Sequence, residues 1–407
     1  MYMRKHPPCI SLLLSLALGC AVPHATPPPD VDRLSLGAEL AAIRSNFPDT
    51  IAQLIDGPQA PVGHQAGASV RNILVLSAGG RDGAYSAGVL VGWSAAGTRP
   101  TFDVVTGIST GALIAPMAFL GQRYDRLLMD SFTTVRTEDI YRKRPWVSIL
   151  WSDSLADSEP LRRRIDEQVT DGLLAEIAQA HLEGRRLYVG TTNLATGRLT
   201  AWDLGAIAAG SDPKKRELFQ KVILASCSIP GLFPAVPIEI EVDGRRYTEL
   251  HADGGISSSM FLHPLMVVDK HCSMKANVYT IVAGKLSSES RYVNRRFISV
   301  FDASVQELLE SRTRSDLLRV FLLSRLSGGR FAVASIPKEL RVDPDATRFD
   351  PEEMKRLFEA GYDRAVNGWC STPPGVNPEE WFLPRTGTQF KTTREKSFTT
   401  ERVSSDR

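Results

Sequence analysis

The residues best suited to chemistry begin with Gly107-Ile108-Ser109-Thr110-Gly111, a G-x-S-x-G. Such a short pattern arises by chance, so its context matters. Asp103-Val104-Val105-Thr106 reads as a strand before it, and Ala112-Leu113-Ile114-Ala115 reads as a helix after it. Strand, tight turn and helix form a nucleophile elbow, which exposes a serine oxygen at the top of a sheet. Flanking glycines, here Gly107 and Gly111, let strand and helix approach each other. The helix N-terminus adds partial positive charge for a developing anion. Ser109 is therefore a candidate nucleophile for acyl transfer, weighed against a glycine-rich turn that merely joins two elements.

A second turn, Ser77-Ala78-Gly79-Gly80-Arg81-Asp82-Gly83, directly follows an apolar run at 73–76. A dinucleotide loop would need G-x-G-x-x-G with an acidic residue about 20 positions later. Gly79, Gly80 and Gly83 lack that spacing, and Asp103 falls within the next strand. The better reading is an oxyanion hole, with backbone N–H groups converging on a tetrahedral intermediate. Each such donor lowers the barrier by roughly 3–4 kcal/mol. The candidate donors are Gly79, Gly80 and Arg81, and the plain alternative is a strand-to-helix connection.

A serine nucleophile needs a base. The chain has seven histidines. His6, His24 and His64 fall in the leader and loops, and His181 near a helix end. His251, His263 and His271 are the candidates for a Ser-His-Asp triad. Asp253, in His251-Ala252-Asp253-Gly254-Gly255, is the alternative. Asp-Gly-Gly sets a carboxylate at a strand end with little bulk after it, but Asp-Gly is also a common turn. The residues alone leave both bases open.

Taken together, the glycine-rich turn, the G-x-S-x-G and the Asp-Gly-Gly follow the order and approximate spacing of the patatin-like phospholipases, which this chain resembles over roughly residues 71–264. The stretch Ala225-Ser226-Cys227-Ser228-Ile229-Pro230-Gly231-Leu232-Phe233-Pro234 is also similar to that family's segment before its aspartate. The resemblance implies an α/β fold with a mainly parallel sheet covered by helices on both faces. It implies a lipid acyl hydrolase, of phospholipase A or esterase type, with a Ser109–Asp253 dyad and an acyl-serine intermediate. Gly79, Gly80 and Arg81 would form the hole, and Gly83, Gly107, Gly111, Gly254 and Gly255 would shape the turns. No metal or cofactor is implied, and the partner is a lipid or acyl-ester substrate. A free aspartate titrates at ~3.9, so a useful base at neutral pH requires burial to raise it. Asp253 is accordingly predicted to lie out of water. Two departures stand out: Ala78 replaces the first turn glycine, and Asp82 stands where the family often has Lys or Arg. They motivate a third reading, a surface protein that binds lipid without turnover.

The positioning elements are predicted as strands at 73–76, 102–106, 187–191, 222–225 and 278–282. Helices are expected at 83–93, around Leu161, Ile165 and Val169, and along Met354, Leu357, Phe358, Gly361, Tyr362, Ala365 and Val366. The last has Asp350 as N-cap, Pro351 at its first position, Glu353 completing a capping box and Gly368 past its end. Leu36, Leu40 and Ile43 mark a further short helix. Strand-turn-helix alternation argues for a parallel α/β sheet.

Composition is that of a globular protein: 407 residues, 43% hydrophobic, 23% charged, net charge +2. No basic stripe points to nucleic acid. Arg4, Lys5 and His6 precede an apolar run, 10–18, that ends in Gly19-Cys20. This is the layout of a secretory signal, too short to span a bilayer. Its end resembles the lipobox of bacterial lipoproteins, with Ala17 where a leucine is usual, so Cys20 is the expected lipidation site. The expected location is the bacterial outer membrane or periplasm. The expected division is a signal peptide at 1–20, a proline-rich tether at 21–70, a catalytic core at 71–270, a part completing the α/β domain at 271–383 and a disordered tail at 384–407. Outside the leader, Cys227, Cys272 and Cys370 form no disulfide framework or metal pattern and read as free thiols.

Overall fold

The computed structural model describes residues 70–145, 154–242, 244–267, 275–286 and 297–368. The leader with Cys20, the tether, the helix around Leu40, the tail, His271, Cys272 and Cys370 lie outside them.

The strands are β1 (Val70–Leu76), β2 (Val104–Ile108), β3 (Arg142–Lys143), β4 (Ala156–Asp157), β5 (Arg186–Asn193), β6 (Arg198–Asp203), β7 (Val236–Val242), β8 (Arg245–Asp253), β9 (Lys275–Val282) and β10 (Phe331–Ser335). The longer helices are α1 (Gly83–Ala95), α2 (Thr110–Leu120), α3 (Asp125–Thr133), α4 (Glu159–Gln168), α5 (Asp171–Leu182), α6 (Lys215–Ser226), α7 (Phe297–Leu326) and α8 (Pro351–Val366). Among the described residues, eight strands form one sheet in the order β10-β9-β1-β2-β5-β8-β7, with β6 also on β5. The ladders from β10 through β5 are parallel, and those of β5 with β6, β5 with β8 and β7 with β8 are antiparallel. The fold is thus mixed α/β, with a mostly parallel sheet between helices.

The apolar run of β1 is buried on both faces, as a strand in the middle of such a sheet must be. Leu74 and Leu76 pack with Trp93 of α1, Phe119 of α2, Phe219 of α6 and Leu357 of α8. Ile73 and Val75 face the opposite core, with Leu317, Val320 and Leu323 of α7.

One feature of the pairing brings distant residues together. On β5, β6 pairs with residues 188–193 along one edge. β2 pairs with 186–190 and β8 with 191–193. A strand residue has only two edges, so β2 and β8 must share the edge that β6 leaves. They arrive from opposite directions. β2 ends with Ile108 opposite Gly190, and β8 ends with Asp253 opposite Thr191. The residue after Ile108 is Ser109.

Two expectations need correction. Residues 222–225, expected as a strand, belong to α6. Their apolar run fits either element by itself, but Phe219, Val222, Ile223 and Ser226 are buried at helical spacing. The strand expected at 102–106 is displaced to Val104–Ile108, because its register with β5 continues through Gly107 into the elbow. Asp103 instead accepts the Asn72 N–H at 2.7 Å at the strand entrance. The β7–β8 hairpin was not anticipated. Its signal was the Val236, Ile238, Ile240 alternation before Asp243-Gly244. Pro237 is tolerated because β7 is an edge strand.

The α8 helix begins with Asp350 as its N-cap, the side chain accepting from the Glu352 and Glu353 N–H groups at 3.1 Å each, but the expected capping box does not form. The Glu353 carboxylate accepts the Asp343 N–H at 3.3 Å and pairs with Arg356. Asp350→Ala should lower unfolding free energy by about 1 kcal/mol, seen as a lower urea midpoint with an unchanged m-value.

Candidate active site

The elbow holds Ser109 at φ 56° and ψ −121°, and among the described residues it alone combines a positive φ with a side chain beyond glycine. Such a conformation costs roughly 1–3 kcal/mol and persists only where the surroundings enforce it. The Ser109 N–H donates to Ser226 Oγ at 2.9 Å, and Ser226 Oγ–H donates to Gly190 O at 2.7 Å. The Cys227 thiol donates to Ser109 O at 3.2 Å. Both glycines of the motif are required by close approach. A Cβ on Gly107 would lie 2.4 Å from Gly111 O, and one on Gly111 would lie 2.7 Å from Leu76 O.

Ser109 Oγ donates to Asp253 Oδ2 at 2.7 Å across 144 positions of chain. The other carboxylate oxygen, Oδ1, accepts the Gly255 N–H at 2.7 Å. The Asp253 backbone is fixed from two sides, its N–H to Ser228 O at 2.8 Å and its carbonyl from the Thr192 hydroxyl at 2.9 Å. Asp253 is only 5% exposed. Burial raises its pKa to about 6, against the opposing hydrogen bonds from Ser109 and Gly255. The carboxylate is thus ionised at neutral pH yet far more basic than a free one.

The second turn lies beside this pair. Gly80 lines the same cleft as Ser109, and no acceptor among the described residues takes the Gly79 or Gly80 N–H. Gly80 has φ 55°, and a Cβ there would sit 2.5 Å from Ala346 O. Ala78 keeps a negative φ, so its side chain costs no backbone strain. Arg81 differs from expectation: its N–H is spent on Ala346 O at 2.9 Å and is not offered to the cleft. Its guanidinium, 1% exposed, donates to Asp343 O at 2.7 Å and pairs with Asp82 at 3.2 Å. Burial raises the Asp82 pKa to about 6, with Arg81 pulling against it. Arg81 thereby ties the turn to a strap at residues 343–349. Gly83 begins α1 against Thr110, and Gly254 packs on Gly190 O, positions with no room for a Cβ.

The two histidine candidates among the described residues are engaged elsewhere. His251 is fully buried, with Nδ1 2.9 Å from Thr191 Oγ1 and Nε2 3.1 Å from Glu249. His263 Nδ1 accepts the Leu265 N–H at 3.2 Å and lines a different groove, along α7. Ser226, which bridges elbow and sheet, had no distinguishing signal in the sequence beyond lying in the stretch before the aspartate.

The cleft over Ser109 is walled by Leu113, Phe132, Ile140, Ile165 and Phe233, and the strap and α8 cover it with Ala346, Thr347, Phe349 and Met354. Such an apolar wall suits an apolar ligand group. Among the described residues there is no cluster that could hold a metal ion, and no helix is long and apolar enough to cross a membrane.

Residues 74–266 match the model of the patatin-like phospholipase family. That span is just under half of the chain and carries Ser109, Asp253, the glycine turn and Ser226. The strap and α8 lie beyond the patatin-like span, so part of the cleft roof is built by chain outside it. Among solved structures, VipD from Legionella pneumophila aligns at 13% identity over 78% of this chain and 72% of that one, with a TM-score of 0.33. The type III effector protein ExoU aligns at 14% identity over 74% of this chain and 53% of that one, with a TM-score of 0.23. No curated protein matches the chain.

The raised Asp253 pKa has a cost in stability. Below pH ~4 the carboxyl is protonated in both folded and unfolded states and costs nothing. Between that point and about 6 the unfolded chain ionises while the folded one resists, so stability is lost as pH rises. Asp253→Asn removes the buried charge. It should raise unfolding free energy at pH 7 by an amount on the order of 2–3 kcal/mol, with the gain vanishing below pH 4. Urea titrations at both pH values test this; a variant less stable at pH 7 would refute it.

Proposed function

We propose that this protein is a lipid acyl hydrolase that cleaves carboxylic esters through an acyl-serine intermediate, with Ser109 as nucleophile and Asp253 as its base. The observation that carries this reading is the 2.7 Å hydrogen bond from Ser109 Oγ to a buried Asp253 carboxylate. The patatin-like match supports the substrate class, because that family's members act on acyl lipids.

In the proposed cycle, Asp253 accepts the Ser109 proton as Oγ attacks the ester carbonyl. The Gly79 and Gly80 N–H groups and the N-terminus of α2 take up the charge on the carbonyl oxygen. The alcohol leaves with the proton held by Asp253, and the acyl group remains on Ser109. Water, deprotonated by the same carboxylate, then releases the fatty acid and restores the serine. A base near pKa 6 is matched to this work at neutral pH. The single carboxylate serves as acceptor and donor in turn, which is why no histidine is needed. The segment ending at Cys20 adds a location to the proposal: a lipidated Cys20 on an exported chain would hold the cleft beside a membrane surface.

Purified protein should hydrolyse p-nitrophenyl butyrate, and Ser109→Ala should lower the rate by at least about 10³-fold. Equal rates in the two proteins would remove the enzymatic reading. Alanine at His251, His263 or His271, each changed alone, should leave turnover; loss with His263 or His271 alone would favour a triad. The pH dependence gives an independent check. Because activity needs ionised Asp253, kcat/KM should rise with a midpoint near about 6, losing about tenfold between pH 7 and pH 5. A flat profile over that range would exclude Asp253 as the base.

A further inference from the structure

The cleft has a polar end that the proposed chemistry does not use. Along α4, Leu161, Arg164, Ile165 and Gln168 recur at helical spacing and together line the cleft. Leu161 and Ile165 extend its apolar wall. Gln168 donates to Ser131 Oγ at 3.0 Å. Arg164 has no such partner: it makes no ion pair or hydrogen bond among the described residues. Its neighbour Arg162 is paired with Glu159 and Asp166, and Arg163 with Glu159. Arg164 is half-buried, and no carboxylate among the described residues pairs with its guanidinium.

Its place along the cleft can be read from what it shares. Arg164, Ser131 and Gln168 line both this cleft and an adjoining polar pocket with Tyr124, Asp130 and Thr134. Ser109 and Gly80 line only the cleft. Arg164 therefore stands where the cleft adjoins that second pocket. Asp130 and Glu167 also face that pocket. Asp130 is paired with Arg126 at 3.8 Å, and neither carboxylate pairs with Arg164.

We propose that Arg164 is a specificity-determining residue, whose guanidinium binds an anionic group of the substrate where the cleft adjoins the second pocket. The planar fork suits a phosphate or a carboxylate, which it can take with two parallel N–H donors. Two parts of a substrate can supply that anion: a head-group phosphate on the alcohol side, or a carboxylate at the far end of the acyl chain. This rests on the acyl-hydrolase reading for its kinetic form but not for its binding form. A structural role alone would have the arginine's methylene stem cover apolar wall while its head sits in water.

The test compares substrates matched except for charge. On the acyl side, p-nitrophenyl hexanoate is set against the p-nitrophenyl monoester of hexanedioic acid. On the alcohol side, dioctanoyl glycerol is set against dioctanoyl phosphatidic acid in neutral detergent micelles. Arg164→Met keeps an apolar side chain and loses the charge. It should lower kcat/KM for the anionic member of one pair by about tenfold, leaving the neutral member within about twofold of the wild type. The pair that responds identifies the source of the anion. Arg164→Lys should recover part of the loss. Equal effects on both members of both pairs would mean the stem alone matters and would overturn the proposal. Binding separates this from failure of the hydrolase reading. By calorimetry, full-length Ser109→Ala should bind decyl phosphate or decanedioate more weakly once Arg164→Met is added, with decyl maltoside as the neutral control. Arg164-dependent binding without any hydrolysis would keep the subsite and remove the activity, and hydrolysis without Arg164-dependent binding or selectivity would do the reverse.

Discussion

A strand in a sheet offers hydrogen bonds along two edges and no more. β6 occupies one edge of β5 over residues 188–193, which forces β2 and β8 to divide the other between them. They meet head to head at Gly190 and Thr191. Each carries a residue of the proposed dyad at its tip, Ser109 just past Ile108 and Asp253 opposite Thr191. Their 2.7 Å hydrogen bond follows from this division of one edge. Ser226 secures the junction by accepting from the Ser109 N–H and donating to Gly190 O. The absence of room for a Cβ at Gly107, Gly111 and Gly254 reflects the same convergence of backbones.

That arrangement is held against its own energetics. Ser109 sits at a positive φ, and Asp253 is a carboxylate removed from water. Each is unfavourable by itself, and each is what acyl transfer would use: an exposed oxygen on a sharp turn, and a base whose pKa has climbed toward neutrality. The surroundings offset these terms with rigid packing. β1 is buried on both faces, between the α1, α2, α6 and α8 layer on one side and α7 on the other. A site of this kind is expected to be less stable than the protein could be without it.

The cleft depends on chain far from the elbow. Arg81, buried and bonded to Asp343 O, binds the glycine turn to the strap, and the strap and α8 complete the apolar roof. The glycine turn and the apolar roof are thus one mechanical unit, although only the turn falls within the patatin-like span. α4 adds Leu161, Arg164, Ile165 and Gln168 to the cleft lining.

The sequence by itself determined what is local. The G-x-S-x-G between a strand and a helix marked the elbow, because glycines at both ends let the two elements approach. The apolar run of β1, the N-cap of α8 and the order of the three motifs were legible for the same reason: each is decided by neighbours along the chain. Tertiary structure decided the rest. Residues 222–225 carry an apolar run that fits strand or helix, and only packing against the sheet selects the helix of α6. The Arg81 N–H reads as one more free donor until Ala346, some 265 positions away, is seen to occupy it. That Asp253, and not His251, is the hydrogen-bond partner of Ser109 is likewise not local. His251 and Asp253 lie on the same strand two residues apart, and it is the pairing of β8 with β5 that turns one to Thr191 and Glu249 and the other to Ser109.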